Sequence, residues 1–257
     1  MLEYLDFASF TERDNGKKWE HKLYEPNKLA DSFNLITYFI ANDDVDAEQV
    51  QQYREATETD LLIALNTTCK RYDCLAIADN IIYCGSDEIE LAIYDLSFMN
   101  AYGNFIGIDW HDVKTALSYG KSIQFLHSSA TGENCIAVAC EQLIEQFKAC
   151  DSKYTLKGMM INIFADNSFD FEKLELIAVE MQKNIDGDDA NVLYQVNFFD
   201  EFDVWKDGEK GCCICMFLIY SDEENDIAPV IIEHDISQKI PNSTQTAGNS
   251  IREYLKR

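Results

Sequence analysis

The chain has 257 residues, 47% of them hydrophobic, enough to bury a sizeable core in one large domain or two small ones. Its formal charge of −25, from 46 acidic and 21 basic residues, repels nucleic acid and anionic lipid, so neither is expected as a partner. No apolar run approaches the roughly 18 residues of a spanning helix. MLEYLDFASFTERD lacks the basic start and apolar stretch of a secretory leader, and nine cysteines, an odd number, argue against a closed disulfide framework. A cytoplasmic protein without direct membrane insertion is the expectation.

In chain order, residues 1–26 read as a strand or irregular arm. Leu29, Phe33, Ile36 and Ile40 recur at helical spacing and predict a first helix from Asn27 to about Ala41. Asp46 followed by Gln49 has the form of a capping box, so a second helix is expected there, restarting near Thr59 through LLIALNTTCKRY. CLAIA (74–78) and IIYC (81–84), parted by Asp79-Asn80, suggest a tight hairpin. Ser86 caps a predicted helix over 87–103, with Ile89, Ile93, Leu96 and Met99 on one apolar face. Residues 1–105 thus read as a mainly helical region with a short hairpin.

Beyond Ile106 the pattern is α+β. GIDWHDV (107–113) opens a helix over 110–119, followed by a strand at 121–127 and a long helix over 133–150. Then come a strand at 157–164, a helix at 170–185 and strands at 190–198 and 211–220. This order fits a mixed sheet with helices on one face. Residues 221–257, acidic and then polar, read as a flexible tail closing on the basic–aromatic IREYLKR.

Several of these segments resemble, in order, the C-terminal domain of FtsZ, the tubulin-like cell-division protein. IDWHDVKTAL is similar to the family's N-x-D-F-x-D-V loop and helix start. SSATGENCIAVACEQLI resembles its serine/glycine-Glu-Asn segment and Ala-rich helix. In KGMMINIFADNSFDFEKLELIAVEM, Gly158, Asn162 and Ile163 fall where a G-x-x-x-N-I pattern stands, and DDANVLYQVNFFDEF with CCICMFLI resembles the strands that follow. The resemblance covers about 106–220. It implies an FtsZ/tubulin C-terminal-like domain there, with 1–105 a reduced remnant of the nucleotide domain that includes the central helix, 87–103.

The same family binds GTP with a glycine-rich loop, because only glycine lets backbone amides wrap a phosphate closely. Here none of the 11 glycines adjoins another, so that loop is absent. No cofactor is therefore expected unless a partner subunit brings GTP, and no guanine-contacting residue is carried onto Tyr94 or Asp95.

Asp109 and Asp112 admit two readings. A D-x-x-D pair at a helix start is explained by capping, with both carboxylates at the positive end. The resemblance implies instead an acidic loop that enters a neighbouring subunit's nucleotide pocket. Asp109 and Asp112 are then catalytic only in trans, with Gly107, Trp110 and His111 at the interface. His111 and the two aspartates diverge around a helix and do not suggest a metal site. Cys212, Cys213 and Cys215 lack the C-x₂-C pairing of a zinc site and read as buried strand residues. His127 beside Ser128 and Ser129 lies outside any nucleophile elbow.

The leading expectation is a structural or regulatory FtsZ/tubulin-like protein in a division or cytoskeletal assembly. It is not expected to be an enzyme on its own, and its partner is an FtsZ-like GTPase or a second copy. The alternatives are an α+β module that binds a ligand or protein unrelated to filaments, and a reduced FtsZ-like protein that binds GTP through 1–105.

Overall fold

The computed structural model describes residues 8–11, 20–23, 36–68, 70–99, 106–150, 154–166, 168–185, 190–198 and 211–221. The predicted tail, IREYLKR, the first part of the 27–41 helix and the end of the 87–103 helix lie outside them.

Among the described residues, one mixed sheet of nine strands organises the fold, in the order β2-β1-β3-β4-β5-β6-β9-β7-β8. Its members are β1 (Ala8–Thr11), β2 (Glu20–Leu23), β3 (Ile36–Ile40), β4 (Leu61–Asn66), β5 (Asn80–Tyr83), β6 (Ser122–Thr131), β7 (Leu156–Ala165), β8 (Asn191–Phe198) and β9 (Gly211–Tyr220). Strands β3 to β6 run parallel, β9 lies antiparallel between β6 and β7, and β8 is parallel to β7. The helices are α1 (Ala47–Ala56), α2 (Ile89–Phe98), α3 (Trp110–Leu117), α4 (Cys135–Ala149) and α5 (Phe171–Gln182).

The mixed α+β sheet is as expected, and α3, α4, α5 and β6 to β9 lie close to their predicted places. The reading of 1–105 as mainly helical is corrected. Ile36 to Ile40 form β3, and LLIALN forms β4, every residue of it buried. Central parallel strands are covered on both faces, so they read as continuous apolar runs, and such runs carry no period that separates strand from helix. The expected hairpin is absent. CLAI lies in a 3₁₀ turn, Asp73–Ile77, and β5 pairs in parallel with β4 and β6. Asp46 does cap α1, its side chain accepting from Glu48 N.

The helices also occupy both faces of the sheet. As expected, α4 and α5 cover one face of the β6–β8 half, packing Leu143, Ile144 and Ile177 against Met159, Ile161 and Ile214. The opposite face carries α2 and α3, whose Leu96, Val113 and Leu117, with Met99 at the C-cap of α2, meet Ile63, Ile82, Phe125 and Phe217. A third cluster packs α1 and the 3₁₀ turn under β3 to β5 through Val50, Tyr53 and Leu75. Four parallel strands in chain order, with connections on opposite faces, require crossovers of opposite hand. One kind therefore departs from the right-handed rule.

Cys212, Cys213 and Cys215 are buried on β9, as the apolar reading of that strand expects. Among the described residues no helix is long and apolar enough to cross a membrane.

Candidate functional site

Opposed edges of the parallel strands frame the candidate site. Along their amino ends lies α3. Asp109 is its N-cap: Asp112 N donates to Asp109 Oδ1 at 2.9 Å, and Asp109 N donates to Asp112 Oδ2 at 3.3 Å. This capping box satisfies backbone donors that a helix start otherwise leaves open. Gly107, Asp109, His111 and Asp112 are all exposed.

Trp110 turns the other way. Its ring packs with Ile108 against the α2 core, and its Nε1 donates to Asp60 Oδ2 at 3.4 Å. Lys114 Nζ donates to both Asp60 oxygens at 2.9 Å, fastening α3 to the residue before β4. At the far end of α3, Asn80 Nδ2 donates to Leu117 O and Gly120 O, each at 2.9 Å. Gly120 is obligatory, since a Cβ there would stand 1.7 Å from Tyr220 O. Beside these contacts an open cleft of about 370 Å³ is lined by Asp60, Asp79, Lys114, Ser118 and Lys121.

Open α/β sheets usually take their ligands at the other edge, beyond the carboxyl ends of the strands. There the turns carry Asp43, Asp44, Asp46 and Asp87, and several of their amides already have acceptors. Asp44 N donates to Asn42 Oδ1 at 2.8 Å, Thr68 N to Asn66 Oδ1 at 3.1 Å and Gly85 N to Glu88 Oε2 at 2.5 Å. Lys70 Nζ is engaged with Asp43. Three amides of this edge are thus already taken, and Asp43, Asp44, Asp46 and Asp87 are exposed beside them.

The five residues singled out by sequence thus gather at one place, with Asp109, His111 and Asp112 outward and Trp110 serving the core. His127 meets Glu88, its Nε2 3.1 Å from Oε1, while Ser128 Oγ donates to Ala139 O. These side chains are engaged structurally rather than with each other. Asn134 occupies the N-cap of α4 without a side-chain capping bond, and Glu133 precedes it. Among the described residues no three His, Cys, Asp or Glu side chains gather as a metal site.

Sequence reasoning missed a buried polar chain under α2. Asn162 Nδ2 donates to Asp95 Oδ1 at 2.7 Å, Asn197 Nδ2 to Asn162 Oδ1 at 2.5 Å, and Gln195 Nε2 to Asn197 Oδ1 at 3.4 Å. Asp95, Asn162 and Gln195 have no exposed surface. Burial holds the Asp95 carboxyl well above the usual carboxylate range, while the Asn162 bond and the Cys215 thiol pull it partly back.

Solved structures of FtsZ and CetZ are similar to this chain. A point mutant of M. jannaschii FtsZ matches at 14% identity and a TM-score of 0.44, over 67% of this chain and 51% of that one. An empty FtsZ dimer from M. jannaschii matches at 12% identity and 0.46, over 72% and 54%. CetZ from Methanosaeta thermophila matches at 11% identity and 0.49, over 87% and 68%. The likeness is one of fold, and the chain spans about half the length of the two FtsZ structures. No family model matches the sequence, and no curated protein does.

Proposed function

We propose that this chain is an FtsZ/tubulin-like structural or regulatory protein that works through protein contacts and carries no GTP site of its own. In this reading the exposed start of α3 is presented to a partner protomer that brings the nucleotide. Asp109 and Asp112 act there in trans, and Gly107 and His111 lie at the contact. Trp110 and Lys114 hold the helix to Asp60 behind it.

The observation that carries the reading is the opposition of the two edges. The acidic helix start faces outward at the amino ends of the strands, and at their carboxyl ends the amides of Asp44, Thr68 and Gly85 already have acceptors and exposed carboxylates stand in the turns. A head-to-tail contact would bring the first edge of this chain to the nucleotide edge of another. Calorimetric titration of the chain with GTP, and co-sedimentation with a glycine-loop GTPase of this superfamily, test the two halves separately. No heat with GTP alone and joint pelleting with the GTPase are expected. Heat with GTP would favour the reduced GTP-binding alternative.

The cleft beside Asp60 and Lys114 favours one further reading, a module that takes a small ligand at its amino edge. A ligand there would touch the ion pair that seats α3.

A further inference from the structure

Asp95 and Ser97 stand two residues apart on α2, yet they hold opposite flanks of the sheet. Ser97 Oγ meets Tyr38 Oη of β3 at 2.9 Å, while Asp95 takes Asn162 of β7 and, through it, Asn197 and Gln195 of β8. Five strand steps separate β3 from β7 in the sheet order, about 24 Å on a flat sheet. Both flanks therefore converge on one turn of α2. Val196, between the two polar residues of β8, exchanges backbone hydrogen bonds with Ile106, which leads directly into the 107–112 loop.

Asp95 is the odd member of this clasp. An asparagine would accept from Asn162 equally well and would need no proton, and an acid in a dry core calls for an explanation. Its Oδ2 is buried without a hydrogen-bond partner among the described residues. Tyr38 on β3 and Cys215 on β9 act on it directly, the Cys215 thiol as a weak donor that favours the carboxylate, and Cys213 and Glu88 act on Cys215 in turn; none of them supplies a positive charge. The amide chain, however, donates towards Asp95 at every link, which aligns its dipoles to receive a negative charge. The site is thus poised between a neutral and a charged state.

We propose that Asp95 is a protonation-controlled latch that seats α2 on the β7–β8 flank. With the acid protonated, the apolar and amide surroundings close over it. When the proton passes to bulk water, the uncompensated carboxylate draws solvent in and α2 lifts from β7 and β8, loosening the Ile106–Val196 bridge beside the 107–112 loop.

Hydrogen exchange of the full chain from about pH 5 to about pH 9, corrected for intrinsic rates, tests this directly. In the native chain, segments covering α2, β7 and β8 are expected to lose at least about tenfold in protection as pH rises, and Asp95→Asn is expected to abolish the loss. Protection that stays flat in the native chain, or an equal loss in the variant, overturns the latch. Infrared spectroscopy of the native chain supplies a second readout that does not depend on the variant folding. A protonated-carboxylic-acid band should vanish over the same interval in which protection falls. A side chain ionised throughout, or protonated while protection is lost, overturns it equally.

Discussion

Asp109 and Asp112 each accept the other's backbone amide proton, at 2.9 and 3.3 Å, so the two carboxylates that face solvent also close the first turn of α3. Capping and any role towards a partner therefore rest on the same atoms, and only a substitution that separates charge from hydrogen bonding can part them. Asparagine is as good an N-cap as aspartate, and alanine is not. Asp109→Ala should cost about 1 kcal/mol in urea denaturation, and Asp109→Asn only a few tenths.

Tyr38 and Ser97 offer a second asymmetric pair. Ser97 Oγ also donates to Ile93 O at 2.6 Å, so it keeps a partner when the phenol is removed. Tyr38→Phe should then cost about 0.5–1.5 kcal/mol. Ser97→Ala removes both bonds of its hydroxyl, to the fully buried Tyr38 phenol and to Ile93 O, and should cost more, about 1–3 kcal/mol. Equal losses in thermal melts would argue that the hydroxyl finds another acceptor.

The buried acid makes a pH-dependent claim about stability. Burial raises the folded Asp95 carboxyl above its unfolded value of about 3.9, so its contribution to stability is full below that value. It is lost as pH rises towards the folded value, and Asp95→Asn carries no such proton. The variant should gain on the native chain by up to about 1.4 kcal/mol per pH unit above about pH 4, until Asp95 itself ionises. Urea midpoints at several pH values check the sign. A difference between variant and native chain that stays constant, or shifts in favour of the native chain, as pH rises above about 4 would contradict it.

The C-terminal half was legible because its elements alternate in kind and carry strong ends. Asp109 and Asp170 cap their helices with side-chain bonds, and GCCICMFLIY, wholly buried, spans β9 from its first residue to its last. The N-terminal half misled because parallel strands buried on both faces lose the alternation that marks a strand. Leu29, Phe33, Ile36 and Ile40 fell at helical spacing, and the last two proved to bound β3. Register across the sheet was not legible, since only the fold brings Asn80 under Leu117 O and Gly120 O.

The candidate loop at 107–112 could be found from local sequence, because a helix start with two acids is a local pattern. The Asp95 chain could not be assembled that way. Its members lie on α2, β7 and β8, and each is a polar residue with apolar neighbours on both sides: LAIYDLSF, MMINIF and VLYQVNF. Those isolated polar residues were the available signal, and pairing them required the topology.

The most direct test of the central claim is GTP turnover by a glycine-loop GTPase of the FtsZ/tubulin superfamily, titrated with the native chain and with Asp109→Asn/Asp112→Asn. The native chain should change the partner's turnover by several-fold, about a kcal/mol in barrier for each roughly fivefold change. The double variant, with both caps retained, should still co-sediment but leave turnover at the partner's own rate. Native and variant chains that alter turnover equally, or a native chain that alters neither turnover nor sedimentation, would contradict the assignment of these two carboxylates to a shared site.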